Sequence, residues 1–470
     1  MEWFPDVEVE EQDEQDPEDV RLPDEPDDEE LGPSRYMPNV SNNVEVVDFE
    51  AGDASRADKV DDPSIPAGMR STLRAHQVEG LVWLQMCWQD QRRGAILADD
   101  MGVGKTIQSI AFMRWLQENY LTQEHGPLMI VAPVSLLDNW QNEIDIHLDQ
   151  QGLGKSALLY GDGLKRYRAT GQKDILAGKS TLDVDRLREL DLLLTTYETM
   201  RDYSISFGRI PLTCLVFDEM QKVKNPASLM TRASKSMNAQ FTLGLTGTPI
   251  ENTVADLWCM LDTVVPGSFG ARSDFLARYG AGASDEILLQ LGNTLMAPAD
   301  GSPAYMLRRL KTEIGEELPP KNQSVLPIDM PPGQQRQYDA ILRSSARNTR
   351  SGVLLTLQKL RSLSLHPDGG EDTRSGTDEA YIAQSGRMQA AFQALDSIAR
   401  AKEKALVFVE SLDVAAQIAL LIRRRYKLRH TPARIYGATR PLDDSKLLIH
   451  LLTNAAVSLT CLCYPLRQRV

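Results

Sequence analysis

Short apolar runs alternate with stretches of helical periodicity between residues 70 and 275. Each run is three to five residues long and is apolar on both faces. Runs of this kind are typical of buried strands in a parallel sheet whose two faces are covered by helices. The five runs are Ala95–Ala98, Leu128–Ala132, Leu192–Leu194, Cys214–Phe217 and Thr242–Leu245. The pattern therefore predicts an α/β fold with a doubly wound parallel sheet.

The pattern changes after residue 275. Residues 280–390 carry helical stretches that are interrupted by proline and glycine, which indicates a helical connector. A second α/β pattern follows, with strands at 405–409, 433–436 and 457–462 and a helix at 414–425. We divide the chain accordingly. The predicted domains are a first α/β domain at 66–275, a connector at 276–395 and an incomplete second α/β domain at 396–470.

The first 65 residues are acidic, rich in proline and poor in large apolar side chains. Such a segment cannot bury enough apolar surface to offset the entropy cost of ordering, so we predict a disordered tail over residues 1–65. The tail has two interpretations. It is either an interaction segment for protein partners or a solubilising extension, and the second is favoured because blocks of like charge are commonly just solvated.

The charge distribution bears on nucleic acid binding. The formal net charge is −15, which taken alone argues against a nucleic acid partner. Residues 1–70, however, contain 23 Asp and Glu against 5 Lys and Arg, so the remaining 400 residues carry a net charge of +3. A near-neutral domain can present a local basic groove to phosphates. The overall acidity therefore does not exclude a nucleic acid partner.

Cysteine usage and the termini indicate the compartment. Five cysteines at irregular spacing predict neither a disulfide framework nor a zinc site, and they fit the reducing cytoplasm or nucleus. The N-terminus lacks the charged and apolar regions of a signal peptide. Residues 447–466 are long enough to span a bilayer, which makes a tail anchor the alternative to a soluble chain. Polar residues and a proline within the segment favour no membrane association.

Residues 99–106, Asp-Asp-Met-Gly-Val-Gly-Lys-Thr, lie between an apolar strand and a predicted helix. Gly102 and Gly104 allow backbone N–H groups to converge on phosphate oxygens, and the helix N-terminus adds its dipole. Lys105 would contact the β- and γ-phosphates, and the Thr106 hydroxyl would ligate Mg²⁺. The segment departs from the usual phosphate-loop pattern at Asp99, where glycine is expected. Its placement between strand and helix nevertheless predicts a site for ATP and Mg²⁺.

Two further apolar strands end in polar residues. Asp218 and Glu219 follow the run at 214–217, where one carboxylate would hold Mg²⁺ and the other would polarise the attacking water. Thr246 and Thr248 follow the run at 242–245, where their hydroxyls would sense the γ-phosphate and transmit its loss. A surface pair and an ordinary tight turn are the alternatives. Their occurrence together with the Lys105 loop favours nucleotide hydrolysis.

The segments 99–106, 218–221 and 246–252 resemble, in this order, motifs I, II and III of the SWI/SNF-type ATPases. These are helicase-like motors of superfamily two that translocate on double-stranded DNA. Five further segments resemble elements of the family. The glutamine motif is matched by 73–80, motif Ia by 131–140, the inter-lobe signature by 306–321, a Leu-Arg…His-Pro element by 360–367 and motif IV by 404–411. The resemblance implies RecA-like lobes, ATP with Mg²⁺, duplex DNA as a partner and DNA-stimulated ATP hydrolysis.

The resemblance also implies roles for single residues. The cofactor-binding set is Gln77, which would read the adenine, with Asp99, Gly102, Gly104, Lys105 and Thr106. Thr106 and Asp218 would hold Mg²⁺, and the catalytic set is Glu219, Asp218 and Lys105. Gln221, Thr246 and Thr248 would couple hydrolysis to motion. Gln221 stands where many relatives have histidine, and its amide can still form a hydrogen bond towards motif III.

The last residues depart from the family pattern. A glycine-rich motif V and an arginine-bearing motif VI are expected after the strand at 457–462, and residues 461–470 match neither, which predicts a C-terminally truncated second lobe. One alternative is an ATP- and DNA-binding fragment without effective turnover. Another is an RNA helicase, which the elements at 318–321 and 360–367 disfavour. Residues 218–222 favour a bacterial-type member, expected in the cytoplasm with the nucleoid, with the nucleus as the alternative.

Overall fold

The fold is seen in a computed structural model of the chain. The residues it describes are 43–44, 63–120, 126–173, 180–250, 253–298, 301–314, 323–345, 350–368, 377–432, 434–435 and 459–462. Among these residues, no helix is both long and apolar enough to cross a bilayer. Only 459–462 of the segment 447–466 are described, and they form a strand. Cys87, Cys214 and Cys259 are buried.

An all-parallel sheet of seven strands forms the centre of the first domain. Its strands are β1 Gly94–Leu97, β2 Leu128–Ala132, β3 Ser156–Leu159, β6 Leu192–Thr196, β7 Leu212–Asp218, β8 Ala239–Leu245 and β9 Met306–Leu307. They lie in the order β3-β6-β2-β7-β8-β1-β9. The five predicted apolar runs are the central strands β1, β2, β6, β7 and β8, so the predicted fold class is confirmed. An antiparallel hairpin of β4 Arg168–Lys173 and β5 Ser180–Leu182 follows β3.

Helices cover both faces of this sheet. The helices of the first domain are α1 Ala75–Gln89, α2 Lys105–Asn119, α3 Val134–His147, α4 Gly161–Lys165, α5 Val184–Arg188, α6 Tyr197–Asp202, α7 Ser204–Gly208, α8 Leu229–Lys235, α9 Val254–Val264, α10 Arg272–Tyr279 and α11 Asp285–Met296. Alternate residues of the central strands enter two separate cores. Ile130 and Val216 pack with α1, α2 and α3, whereas Val131 and Phe217 pack with α6, α7 and α9.

The packing of the first domain continues past residue 275. Phe275, Leu291 and Leu295 of α10 and α11 are buried in the same core as one face of the sheet. Strand β9 pairs with β1 in parallel, with Met306 opposite Ile96. Residues that the sequence analysis assigns to the connector therefore belong to the first sheet and its core. Strand β9 escapes prediction because only two of its residues are paired.

The structure also corrects the predicted tail at one point. Asn43, inside the segment 1–65, is buried and its side-chain amide donates to Asp262 Oδ1 at 2.9 Å. Its carbonyl oxygen accepts from the backbone N–H of Arg272 at 3.0 Å. The buried carboxylate of Asp262 also pairs with Lys235 Nζ. A buried carboxylate needs several donors, and Asn43 supplies one of them.

The remaining described residues form helices and a smaller sheet. The helices are α12 Pro332–Ser345, α13 Arg350–Leu365, α14 Asp378–Ala383, α15 Gly386–Ala401 and α16 Leu412–Arg425. Three parallel strands, β10 Ala405–Phe408, β11 Arg434–Ile435 and β12 Leu459–Leu462, lie in the order β10-β12-β11. Phe392, Leu395, Val414 and Ile418 contribute to their core. The predicted second α/β pattern of strand, helix and strand is confirmed.

Candidate nucleotide site

The predicted site residues meet at one edge of the seven-stranded sheet. Strands β7, β8 and β1 are neighbours and run parallel, so their carboxyl ends lie side by side. The segments that follow them are 98–104, 219–221 and 246–248. Ligands of open α/β sheets bind outside the carboxyl ends of the strands. The topology of the sheet therefore brings together three predicted segments that are far apart in the sequence.

The loop between β1 and α2 has the conformation of a phosphate cradle. Gly102 and Gly104 have φ angles of 83° and 96°, which are strained for residues that carry a Cβ. Space is also limited, because a Cβ on Gly104 would lie 2.4 Å from Gln77 Nε2. Helix α2 begins at Lys105 directly after this turn, and its half-buried Thr106 is the second helical residue. The first backbone N–H groups of α2 are thus available to an anion.

The ammonium group of Lys105 lies within this loop. Its Nζ donates to the carbonyl oxygens of Asp99 at 2.7 Å and Asp100 at 3.2 Å. Burial lowers the pKa of Lys105, and the carboxylates of Glu219, Asp99 and Asp218 act in the opposite direction. A partly desolvated ammonium attracts phosphate oxygens more strongly than one in water. The Lys105 ammonium group thus supplies a partly desolvated positive charge beside the loop.

Helix α1 is tied to the same loop by its first residues. Gln77 is buried, and its Nε2 donates to the Val103 carbonyl oxygen at 3.3 Å. Its Oε1 accepts from the backbone N–H of Arg74 at 3.0 Å. His76 Nε2 lies 3.1 Å from the same Val103 oxygen. The predicted adenine reader thus lies directly beside the phosphate loop.

Asp218, the last residue of β7, is held on both carboxylate oxygens. Trp140 of α3 donates its indole N–H to Oδ2 at 2.8 Å, and the backbone N–H of Glu219 donates to Oδ1 at 2.9 Å. The buried Tyr197 hydroxyl donates to the Asp218 carbonyl oxygen at 2.8 Å. Burial raises the pKa of Asp218, whereas the Trp140 hydrogen bond lowers it. The orientation of this carboxylate is therefore fixed by groups outside the nucleotide loop.

A chain of hydrogen bonds connects the ends of β7 and β8. Gln221 Nε2 donates to Glu219 Oε2, and Thr246 Oγ1 donates to Gln221 Oε1 at 3.0 Å. The backbone N–H of Thr248 donates to Thr246 Oγ1 at 3.1 Å. Glu219 itself has a φ of 53°, a left-handed conformation that is uncommon outside glycine. All three predicted coupling residues are thus linked to Glu219, although Thr248 takes part through its backbone.

Asp99 differs from its predicted role. Its side chain is fully buried and forms an ion pair with Arg309, whose Nη2 lies 2.6 Å from Oδ2. Arg309 Nε donates to Oδ1 at 3.1 Å, and so does the Arg309 backbone N–H at 3.0 Å. The charge of this buried carboxylate is thus balanced by Arg309. The direct contact of Asp99 with Lys105 is made by its carbonyl oxygen.

The residues at this edge fit Mg²⁺ together with a nucleotide. In the described parts of the chain, no three or more His, Cys, Asp or Glu side chains are grouped to hold a metal by themselves. Mg²⁺ usually takes one or two carboxylates, with phosphates and water supplying its other ligands. Asp218, close enough to Lys105 to influence its pKa, and the Thr106 hydroxyl suit this arrangement. The fit is thus to a metal that is bound with a phosphate ligand.

Three comparisons place the chain among known proteins. The family model described as SNF2-related domain matches residues 76–368. The chain is 31% identical over 413 residues to Zorya protein ZorD of Escherichia coli and 28% identical over 399 residues to human chromodomain-helicase-DNA-binding protein 8. The alignments cover 82% and 79% of this chain. A solved structure, the Sulfolobus solfataricus SWI2/SNF2 ATPase core in complex with dsDNA, is similar at 24% identity and a TM-score of 0.46, with 86% of this chain and 80% of that chain covered.

The chain belongs to the SNF2-related domain family, because the family model matches more than half of its residues. The resemblance inferred from the motifs is confirmed. The chain spans 37% of the length of ZorD and 15% of that of the human relative. It therefore matches only a part of each of these longer proteins.

Proposed function

We propose that this chain binds ATP with Mg²⁺ at the carboxyl edge of its seven-stranded sheet and hydrolyses it in response to duplex DNA, as a translocating motor. The observation that carries the proposal is the convergence of three separate segments. The Lys105 loop, the Asp218–Glu219 pair and the Thr246 turn lie at the ends of neighbouring strands. A linked set of hydrogen bonds joins the last two.

Each group has a distinct task in this proposal. The N-terminus of α2 and Lys105 bind the phosphates, and Thr106 and Asp218 would hold Mg²⁺, which supplies charge neutralisation when bound. Glu219 orients and polarises the attacking water. Its carboxylate is already positioned by Gln221, so loss of the γ-phosphate can be passed to Thr246 through the existing hydrogen bonds.

Two observations support duplex DNA as the partner. The chain belongs to the SNF2-related family, and one of its relatives carries helicase and DNA binding in its name. The segment 131–140, which resembles a DNA-contacting motif, ends in Trp140, the residue that donates to Asp218. A shift of α3 on DNA would therefore act directly on the Mg²⁺ carboxylate. Protein partners of residues 1–65 and a cytoplasmic, nucleoid-associated location stay predictions from the sequence.

Phosphate release and ATP binding test the proposal. The chain is assayed alone, with duplex DNA and with RNA, beside the variants Lys105→Ala and Glu219→Gln. We expect stimulation by duplex DNA. Lys105→Ala should weaken ATP binding by about tenfold or more, because a charge-assisted hydrogen bond contributes roughly 1.5–3 kcal/mol. Glu219→Gln should retain ATP binding and lose hydrolysis.

The exposed Lys165, whose Nζ pairs with Asp162 in α4, supplies the matched control. Lys165→Ala should bind and hydrolyse ATP as the unchanged chain does. Unaltered ATP affinity in Lys105→Ala would refute the phosphate site. Binding of ATP and DNA without turnover would favour the fragment interpretation over the motor, and stronger stimulation by RNA would favour the RNA helicase.

A further inference from the structure

Arg309 lies just after the end of β9 and connects this strand to the nucleotide site. The segment 305–311 continues the pairing of β9 beyond the sheet and runs beside the phosphate loop. Ala98 N–H donates to the Leu307 carbonyl oxygen at 2.7 Å, and Asp100 N–H donates to that of Arg309 at 3.1 Å. The backbone N–H of Lys311 donates to Asp100 Oδ2 at 3.1 Å. The first residues of the phosphate loop are thus fixed along this segment.

The side chain of Arg309 reaches both ends of the phosphate loop. At the first end it binds the carboxylate of Asp99. At the last end it acts through Gln108, because Arg309 Nη2 donates to Gln108 Oε1 at 2.9 Å and Gln108 Nε2 donates to the Gly104 carbonyl oxygen at 3.1 Å. Arg309 Nη1 also donates to the carbonyl oxygen of His76, beside Gln77. One guanidinium therefore spans the loop and the start of α1.

We propose that Arg309 is a positioning residue for nucleotide binding, which holds the phosphate loop and the start of α1 in the arrangement that accepts ATP. The inference rests on the ATP site proposed above. Gly102 and Gly104 adopt left-handed conformations that a free loop would populate only in part. Fixing both ends of the loop in advance removes an ordering cost from binding. Arg309 also explains why aspartate stands at position 99, where phosphate loops usually have glycine.

The planar fork of arginine is essential to this role. Arg309 donates in three directions at once, to Asp99, to Gln108 and to the His76 carbonyl oxygen. A lysine carries the same charge as a single point and cannot reproduce these directions. Arg309→Lys should therefore preserve the pairing with Asp99 and release the other two contacts. Asp99→Asn with Arg309→Gln removes both buried charges together.

The experiment measures ATP affinity and melting temperature for the unchanged chain, R309K, D99N, R309Q and the double variant D99N/R309Q. We expect R309K to bind ATP about tenfold or more weakly, the effect of losing a hydrogen bond to a charged group. Each neutralising single variant should lower the melting temperature, because it removes the nearest partner of the charge that remains at this contact. The double variant should recover much of that temperature and remain weak in ATP binding.

Arg114 of α2 is the matched control, since it is similarly buried and bonds Glu118, Asp149 and the Gly152 carbonyl oxygen away from the site. Arg114→Lys should lower the melting temperature without changing ATP affinity. ATP affinity equal to that of the unchanged chain in both R309K and D99N/R309Q would overturn the inference and leave the ATP site standing. Absence of ATP binding in the unchanged chain would overturn both.

Discussion

Trp140 is a single residue whose hydrogen bond can be tested separately from its packing. Its ring is buried in the core, and its indole N–H lowers the pKa of Asp218. Mg²⁺ binds the ionised carboxylate, so Mg²⁺-dependent ATP affinity is present above the pKa of Asp218 and is lost as the pH falls through it. Trp140→Phe keeps an aromatic ring and removes the donor, which raises that pKa. We expect the loss of affinity to move to higher pH, as measured by ATP titrations with and without Mg²⁺ across the acidic and neutral range.

Trp258 offers the control for this change. It is also buried, and its indole N–H donates to the Gly270 carbonyl oxygen at 3.1 Å. Trp140→Phe and Trp258→Phe should each lower the free energy of unfolding by about 1 kcal/mol, the contribution of one hydrogen bond. Trp258→Phe should leave the pH dependence of ATP affinity unchanged. Identical profiles for Trp140→Phe and the unchanged chain would show that the indole does not tune Asp218.

Residues within one contiguous motif could be predicted from the sequence, and their partners across the fold could not. Lys105, Thr106, Asp218 and Glu219 follow apolar strands in patterns that carry chemistry of their own. Trp140 and Arg309 gain their roles only from contacts, and Arg309 is 210 positions away from Asp99. An arginine in a polar stretch and a tryptophan on a helix carry no local sign of such a partner. The motif of Asp99 predicts a cofactor contact for the same reason, because the motif alone does not show Arg309.

Among secondary structure elements, β1 and α9 approach each other at a glycine. A Cβ on Gly94 would lie 2.3 Å from the Thr242 carbonyl oxygen and 2.7 Å from that of Val264. Both contacts are with backbone atoms, which cannot rotate away. Gly94→Ala should therefore push β1 away from both β8 and α9, at a cost of about 1–3 kcal/mol. We expect a lower melting temperature and weaker ATP binding, since β1 leads into the phosphate loop.

Gly292 of α11 provides the opposite case. A Cβ there would meet only Met296 Cε, at an ordinary 3.6 Å. Gly292→Ala should stabilise the chain by about 0.5–1 kcal/mol, because alanine loses less backbone entropy than glycine in a helix. The two melting temperatures should thus move in opposite directions. A melting temperature in Gly94→Ala as high as in Gly292→Ala would contradict the close approach of β1 and α9.

Central strands are predictable because burial on both faces demands continuous apolar runs. Strand β3 lies at the edge of the sheet, and its exposed and buried residues alternate. Strand β9 lies at the other edge and pairs over two residues. Neither edge strand carries a run that distinguishes it from a loop. The first sheet therefore extends beyond the predicted boundary at residue 275, since β9 returns to it after α10 and α11.

For the whole molecule, the N-terminal residues separate into an anchored part and an acidic part. Asn43 donates to the buried Asp262, and the Asn43 and Val44 carbonyl oxygens accept from the start of α10. Residues 1–38 carry 16 Asp and Glu against 2 Arg. A chain that begins at Asn39 therefore loses most of the acidity and keeps the anchor. A chain that begins at Pro66 loses both, and its melting temperature should fall, because Asp262 loses a donor.

Removal of residues 1–38 should strengthen DNA binding at low salt. Their net charge of −14 repels the phosphate backbone and competes for any basic groove on the chain. At 0.1 M salt, exposed charges more than about 10 Å apart are largely screened from each other, so the gain should shrink steadily as salt is added. Duplex DNA titrations of the full chain and of the chain beginning at Asn39, at several salt concentrations, measure this effect.

Melting temperature and ATP affinity should stay unchanged in the shortened chain, because Asn43 and the phosphate loop are both retained. A gain in DNA affinity that stays the same at high salt would mean that residues 1–38 cover the DNA site by contact. No gain at low salt would show that their charge plays no part in DNA binding.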